Sequence, residues 1–143
     1  MENNKLLSDF KDVLRKEGLK ITPQRIAVLE EIIKDKGHRE SEDIYMAIKT
    51  RKTHVSRATV YRTLDILVQQ GFARKLNLGD GRARYETKID SPHHDHMICN
   101  NCGKIIEFVN HEIERIQEEI TKHHQFILQQ HIHQLFGICK ECQ

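Results

Sequence analysis

From residue 4 to residue 68 apolar positions recur at helical spacing, and after residue 71 short runs at strand spacing appear, interrupted by one more helical stretch near residues 111–124. The first helical pattern covers residues 4–17 and stops at Gly18. Thr22-Pro23-Gln24-Arg25 then offers a side-chain N-cap with proline at the first helical position. Ile26, Leu29 and Ile33 mark the face that this second helix buries. Ser41-Glu42-Asp43 caps a short third helix with Ile44, Ala47 and Ile48 on one face. Ser56 caps a fourth, in which Val60, Leu64, Leu67 and Val68 repeat until Gly71 supplies a C-terminal stop.

The fourth helix leaves Arg57, Thr59, Tyr61 and Arg62 off its apolar stripe and near its N-terminus. Two strand-like runs follow, Phe72–Asn77 and Arg82–Glu86, joined by Leu78-Gly79-Asp80-Gly81, a hairpin signal. Helices followed by a basic hairpin predict a winged helix-turn-helix, with Arg74, Lys75, Arg82 and Arg84 on the wing. The N-terminal end of a recognition helix presents side chains to base edges, so the four polar residues there point to DNA.

Residues 87–92 read as a linker. Beyond them lie apolar runs at Met97–Cys99 and Ile105–Val109, a helix from about His111 to His124 with Ile113, Ile116 and Ile120 inward, and alternation over Phe126–Phe136. Some fifty residues cannot hide those apolar faces alone, so this module is expected to pair with a second copy. Charge divides the chain at the same place. Residues 1–86 carry 18 Lys and Arg against 13 Asp and Glu, whereas residues 87–143 carry 5 against 8 and hold all four cysteines and eight of the ten histidines. A basic half and an acidic, His- and Cys-rich half call for different partners. With no apolar run long enough to span a membrane and no signal-peptide pattern at the start, a cytoplasmic protein without membrane contact is expected.

The chemistry concentrates in the acidic half. Cys99-x-x-Cys102 and Cys139-x-x-Cys142 present four thiolates from two turns, the donor set of a closed tetrahedral zinc site. Gly103 follows the first pair as a tight knuckle requires. A redox dithiol would sit in a βαβ pattern, which is not present here. Just before this pair stands His93-His94-Asp95-His96. In an extended segment His94 and His96 face one side and His93 and Asp95 the other, so one tetrapeptide feeds two metal sites. Nitrogen and oxygen donors of this kind suit Fe(II), Mn(II) or Zn(II). His38, Glu86, Glu107, Glu114 and His131 could complete those shells, although His54, His111, His123, His124 and His133 are equally available by composition.

A zinc deaminase is the rival reading. His38-Arg39-Glu40 fits its H-x-E element, but Ile98 and Ile138 precede the cysteine pairs where proline is required. His111-Glu112-Ile113-Glu114-Arg115 likewise ends in arginine where a zincin needs histidine. No enzyme is expected; a metal-storage protein would leave the basic helix and wing unexplained.

Three stretches carry a resemblance: Leu19-Lys20-Ile21-Thr22-Pro23-Gln24-Arg25, Ala58-Thr59-Val60-Tyr61-Arg62, and His93 through Gly103 with Glu107-Phe108. Together they resemble the ferric uptake regulator family nearly from end to end. The resemblance implies an α+β protein: a winged helix-turn-helix DNA-binding domain over residues 1–86, a hinge over 87–92, and a small α/β dimerisation domain with an antiparallel sheet over 93–143. It implies a metal-dependent repressor acting on double-stranded DNA at an A·T-rich inverted repeat, as a homodimer or a tetramer. His38, Glu86, His94, His96 and Glu107 would form the regulatory site. His93, Asp95, Glu114 and His131 would form a second site, and the four cysteines would hold structural Zn(II). Tyr61 and Arg62 would meet the major groove and Lys20 would reach towards the minor groove. Peroxide-sensing members tend to carry Asp where this chain has Glu107, which favours Fe(II) as the regulatory metal over peroxide sensing; Mn(II)- and Zn(II)-sensing members share most of the ligands.

Overall fold

A computed structural model describes residues 2–88 and 93–143. The chain divides into two compact units, Met1–Ser91 and Pro92–Gln143. Most of the segment expected to be a linker, residues 89–92, lies outside the described residues.

The first unit opens with α1 (Glu2–Lys16) and α2 (Pro23–Lys34). Thr22 caps α2 by accepting the Arg25 N–H at 3.3 Å. The buried face of α2 is Val28, Leu29 and Ile32, while Ile26 and Ile33 stay half-buried at its edges. The expected stripe of Ile26, Leu29 and Ile33 is therefore rotated, because α2 is covered by α3 and α4 as well as α1 and its contact face is wider than one stripe. β1 (Arg39–Glu40) precedes α3 (Ser41–Thr50). The cap of α3 is Glu40 rather than Ser41: the Glu40 N–H donates to the Asp43 carboxylate at 3.0 Å. α4 (Arg57–Gln69) starts at the Ser56 cap, which accepts the Thr59 N–H at 3.1 Å. Past its end Gly71 takes φ +79°, a left-handed conformation that disfavours other residues.

β2 (Ala73–Asn77) and β3 (Ala83–Thr87) form the expected hairpin, with Asn77 opposite Ala83. β3 ends at Thr87, where the sequence reading begins its linker. β1 adds to β3, giving an antiparallel sheet in the order β1-β3-β2. Two residues carry no periodicity, so β1 was invisible in the sequence. Phe10, Leu14, Leu29, Ile32, Ile44, Ile48, Leu64 and Leu67 are fully buried and make one core. Buried Glu31 of α2 accepts Arg39 Nη1 at 2.7 Å and also pairs with Arg51, which ties α2, β1 and the end of α3 together.

The second unit comprises β4 (Asp95–Cys99), β5 (Ile105–Phe108), α5 (His111–His123), β6 (Gln134–Gly137) and a short 3-10 helix, Lys140–Cys142. Its sheet has the order β5-β4-β6. β4 runs antiparallel to β5 but parallel to β6, so the sheet is mixed; the return through α5 gives the length that a parallel neighbour needs. Alternation over Phe126–Phe136 yields a strand only from Gln134, because β6 pairs with β4 over His96–Cys99 alone. Ile116 and Ile120, expected inward, are 42% and 56% exposed, since among the described residues of this unit nothing covers that face of α5. Among the described residues only Ile98 and Cys99 are buried hydrophobics here.

Candidate metal centres and nucleic-acid interface

Cys99 ends β4 and Cys102 lies in the turn after it, closed by Gly103 at φ +75° with its N–H on the Cys99 carbonyl at 2.9 Å. Cys139 and Cys142 flank the 3-10 turn, whose Cys142 N–H meets the Cys139 carbonyl at 3.0 Å. Because β6 lies beside β4, the two turns meet, and the four Sγ atoms lie within 4.8 Å of one another. The Cys102 and Cys139 sulfurs are 3.7 Å apart. A tetrahedron with Zn–S bonds of about 2.3 Å has sulfur–sulfur edges of about 3.8 Å, so the donors fit zinc. Backbone N–H groups of Cys102 and Cys139 pull the Cys99 thiol down to about 6, which readies a thiolate. Hydrogen bonds with the Cys139 and Cys102 sulfurs push Cys142 up to about 12. Beside them Lys104 Nζ donates to Glu141 at 2.9 Å and holds that carboxyl down to about 2.

Alternation along the segment entering β4 divides the His-Asp cluster. Asp95 is almost wholly enclosed, at 2% exposure, and its Oδ1 lies 3.3 Å from His93 Nε2 and 3.4 Å from His131 Nε2. Glu114 Oε1 lies 3.6 Å from His93 Nε2 and 3.3 Å from His131 Nε2. Asn110 caps α5 by accepting the N–H groups of Glu112 and Ile113, which sets Glu114 in the first turn. His131 sits in the irregular segment before β6, not on a strand, and is held by the His96 N–H on the His133 carbonyl at 3.2 Å. Both Asp95 oxygens and Glu114 Oε1 are buried without a hydrogen-bond partner. An unsatisfied buried carboxylate facing imidazole nitrogens is costly, and a cation between them removes that cost. His133, which composition left only as one of several available histidines, has its Nδ1 3.7 Å from Asp95 Oδ2. The spacing His131-x-His133 was the available signal, by the same period-two rule that divided residues 93–96.

Of the other ligands the resemblance implied, two lie in the first unit and three in the second. In the first, His38 Nε2 is 2.9 Å from Glu86 Oε2, with Glu86 buried on β3 and Arg74 3.8 Å from its other oxygen. In the second, register sets Glu107 of β5 opposite His96 of β4. His94 Nε2 is 3.3 Å from Glu107 Oε1, and the His94 and His96 rings are 4.8 Å apart.

On α4, Tyr61 is 48% exposed and Arg62 is exposed. Thr59 is drawn into the cap, where its hydroxyl accepts from Ser56 Oγ at 3.0 Å. Arg57 is paired with Glu42. Three of the four wing cations are paired with carboxylates: Arg74 lies beside Glu86, Arg84 binds Asp80 at 2.9 Å, and Arg82 lies 3.6 Å from Glu40. Lys75 and Arg82 remain on the surface. Lys20, Arg25, His54 and Thr59 line one open cavity of about 690 Å³ between the starts of α2 and α4.

A family model, the ferric uptake regulator family, matches residues 16–136. The chain belongs to the ferric uptake regulator family. It is by that membership a metal-dependent transcription regulator. The ferric uptake regulation protein of Campylobacter jejuni is 44% identical over 144 residues, covering 99% of this chain and 91% of the relative. The peroxide-responsive repressor of Staphylococcus aureus is 35% identical over 133 residues, covering 91% and 86%. Among solved structures, the Helicobacter pylori ferric uptake regulator, described as having three functional metal-binding sites, superposes with a TM-score of 0.87 at 36% identity, covering 97% of this chain and 92% of that one. No helix among the described residues is long and apolar enough to cross a membrane.

Proposed function

We propose that this ferric uptake regulator family member is a cytoplasmic, homodimeric, Fe(II)-responsive repressor of iron-uptake genes, and not an enzyme. Residues 1–86 bind DNA, 87–92 are the hinge, and 93–143 dimerise. The observation that carries the reading is the donor chemistry of the two small groups: His38 with buried Glu86, and His94 and His96 with Glu107. Two donors and three are each too few to close a shell, and together they make the nitrogen and oxygen set of a first-row divalent ion. An ion held by all five donors would supply positive charge and would favour whichever domain arrangement lets them share it. His38 and Glu86 belong to the DNA-binding half and His94, His96 and Glu107 to the dimerising half, so their joint engagement selects one inter-domain angle. DNA and metal must then tighten each other's binding by the same factor.

The second half supports dimerisation. Register places Met97, Ile106 and Leu135 in one row across the sheet, 37%, 41% and 47% exposed. With Ile116 and Ile120 on α5 they form apolar surface that a second copy would cover. On DNA, the two copies of α4 would enter successive major grooves about 34 Å apart. Tyr61 and Arg62, with Arg57 and Thr59 nearby, meet the bases, and Lys20 reaches towards the minor groove.

The test is anaerobic fluorescence anisotropy at fixed salt on an A·T-rich inverted-repeat duplex, comparing chelator-treated protein with protein given Fe(II), Mn(II) or Zn(II). Tight, sequence-selective binding with Fe(II) or its mimic Mn(II) is the expected result. Restoration by Zn(II) alone moves the sensor to zinc, and no restoration by any metal overturns the repressor reading.

A further inference from the structure

Arg57, the first residue of α4, is held on two sides. Its Nε donates to Glu42 Oε2 at 2.9 Å and its Nη2 to Glu42 Oε1 at 2.8 Å, while its guanidinium lies over the Tyr45 ring at 4.4 Å. Both holding residues come from α3, and Tyr45 is anchored in the core. Guanidinium has five N–H donors in a rigid fork, and this grip uses the Nε edge. One Nη1 hydrogen and the second Nη2 hydrogen form the outer edge, and among the described residues no hydrogen bond to that edge is formed. Arg57 and Glu42 side chains are still 58% and 47% exposed, so the assembly stands at the surface, at the end of α4 that presents side chains to base edges.

We propose that Glu42 and Tyr45 are positioning residues that fix Arg57 as a guanine-reading side chain, with its outer Nη1/Nη2 edge aimed at the O6 and N7 acceptors of a guanine in the major groove. The inference rests on α4 being the recognition helix. A free arginine must order a long side chain on binding, whereas one gripped on its Nε edge and stacked on a ring has lost most of that freedom beforehand. An exposed ion pair is individually weak, so the grip contributes more to geometry than to folding stability.

The test uses the full-length, Mn(II)-loaded protein to select duplexes from a randomised pool, followed by anisotropy on the selected sequence and on its single-base-pair variants. Arg57→Ala is expected to lose the preference at one G·C pair per half-site by roughly 5- to 150-fold, leaving other positions unchanged. Glu42→Ala should weaken the preference at that same pair. Glu42→Gln, which removes the same charge but keeps an acceptor oxygen, should retain more of it; Tyr45→Phe, which keeps the ring, should retain all of it. Full retention in Glu42→Ala overturns the positioning role. If Arg57→Ala flattens no position and instead lowers the slope of log affinity against log salt by about 0.9, Arg57 holds a phosphate and guanine reading is overturned. Enrichment of no sequence by the unmodified protein would instead overturn the repressor reading, and this inference with it.

Discussion

Replacing Cys102 by serine separates a zinc-closed knuckle from an ordinary surface turn. Cys102 is exposed, and serine has nearly the same shape, so a change in packing alone would move stability by no more than about 0.5 kcal/mol. As one corner of a four-thiolate site it acts on a binding free energy of about 10–16 kcal/mol, which in such sites is folding free energy. An even division gives about 2.5–4 kcal/mol per thiolate, or roughly 10²–10³-fold in zinc affinity. The second unit has little to offset that loss. Full burial of a side chain such as Ile98 contributes about 1.5–3 kcal/mol, and Ile98 and Cys99 are its only buried hydrophobics among the described residues. The assay combines zinc content after dialysis against a mild chelator, light scattering for oligomeric state, and thermal unfolding followed by circular dichroism. Loss of zinc, a monomer and a lower first transition are expected. A variant with full zinc content, an intact dimer and an unmoved transition would refute the argument that the four sulfurs act as one site.

His96→Ala should leave a folded dimer with its zinc, since His96 lies outside the cysteine cluster, yet DNA binding should no longer respond to Fe(II) or Mn(II) in anisotropy; a normal metal response removes His96 from the sensor. Tyr61→Ala should weaken operator binding without altering the Mn(II) affinity of the free protein measured by calorimetry, because Tyr61 is an exposed side chain of α4; unchanged operator affinity takes it off the DNA-contacting face. Ser56→Ala removes the cap on the Thr59 N–H and should cost about 1 kcal/mol in chemical denaturation, with a change under about 0.3 kcal/mol contradicting the cap's role. Arg84 donates to Asp80 and holds its carboxyl below the usual aspartate range. A depressed folded-state pKa stabilises above the unfolded value, about 4, and that contribution disappears as pH falls below it. In Arg84→Ala the Asp80 midpoint should therefore rise in an NMR titration, and an unmoved midpoint would contradict the pairing.

Strictly local information was readable along the chain. The Thr22 and Ser56 caps, the stop at Gly71, the hairpin over residues 78–81 and the two CxxC knuckles each depend on a few consecutive residues, and each forms where the pattern placed it. Alternation alone separated His93 and Asp95 from His94 and His96, because side chains on an extended backbone must point to opposite faces. Elements that depend on a neighbour were not readable. β1 exists because β3 offers it an edge, and the strand within Phe126–Phe136 shrinks to β6 because β4 pairs with so little of it. The rotation of the α2 stripe and the exposure of Ile116 and Ile120 are likewise set by which surfaces meet, which spacing does not encode.

The candidate sites divide in the same way. Residue type and spacing nominated the donors, since few sequences place three histidines and an aspartate in four residues just before one CxxC pair and carry a second CxxC pair besides. Tertiary structure decided which of the many available carboxylates and histidines join them: strand register brought Glu107 opposite His96, the Asn110 cap set Glu114 in the first turn of α5, and the segment before β6 carried His131 and His133 to Asp95. It also engaged Arg57, Arg74 and Arg84 with carboxylates, although a charge count treats all cations alike. Sequence by itself determined the chemistry available, because chemistry resides in side-chain type; distance and burial come from contacts between residues far apart in the chain, and only the folded structure supplies those.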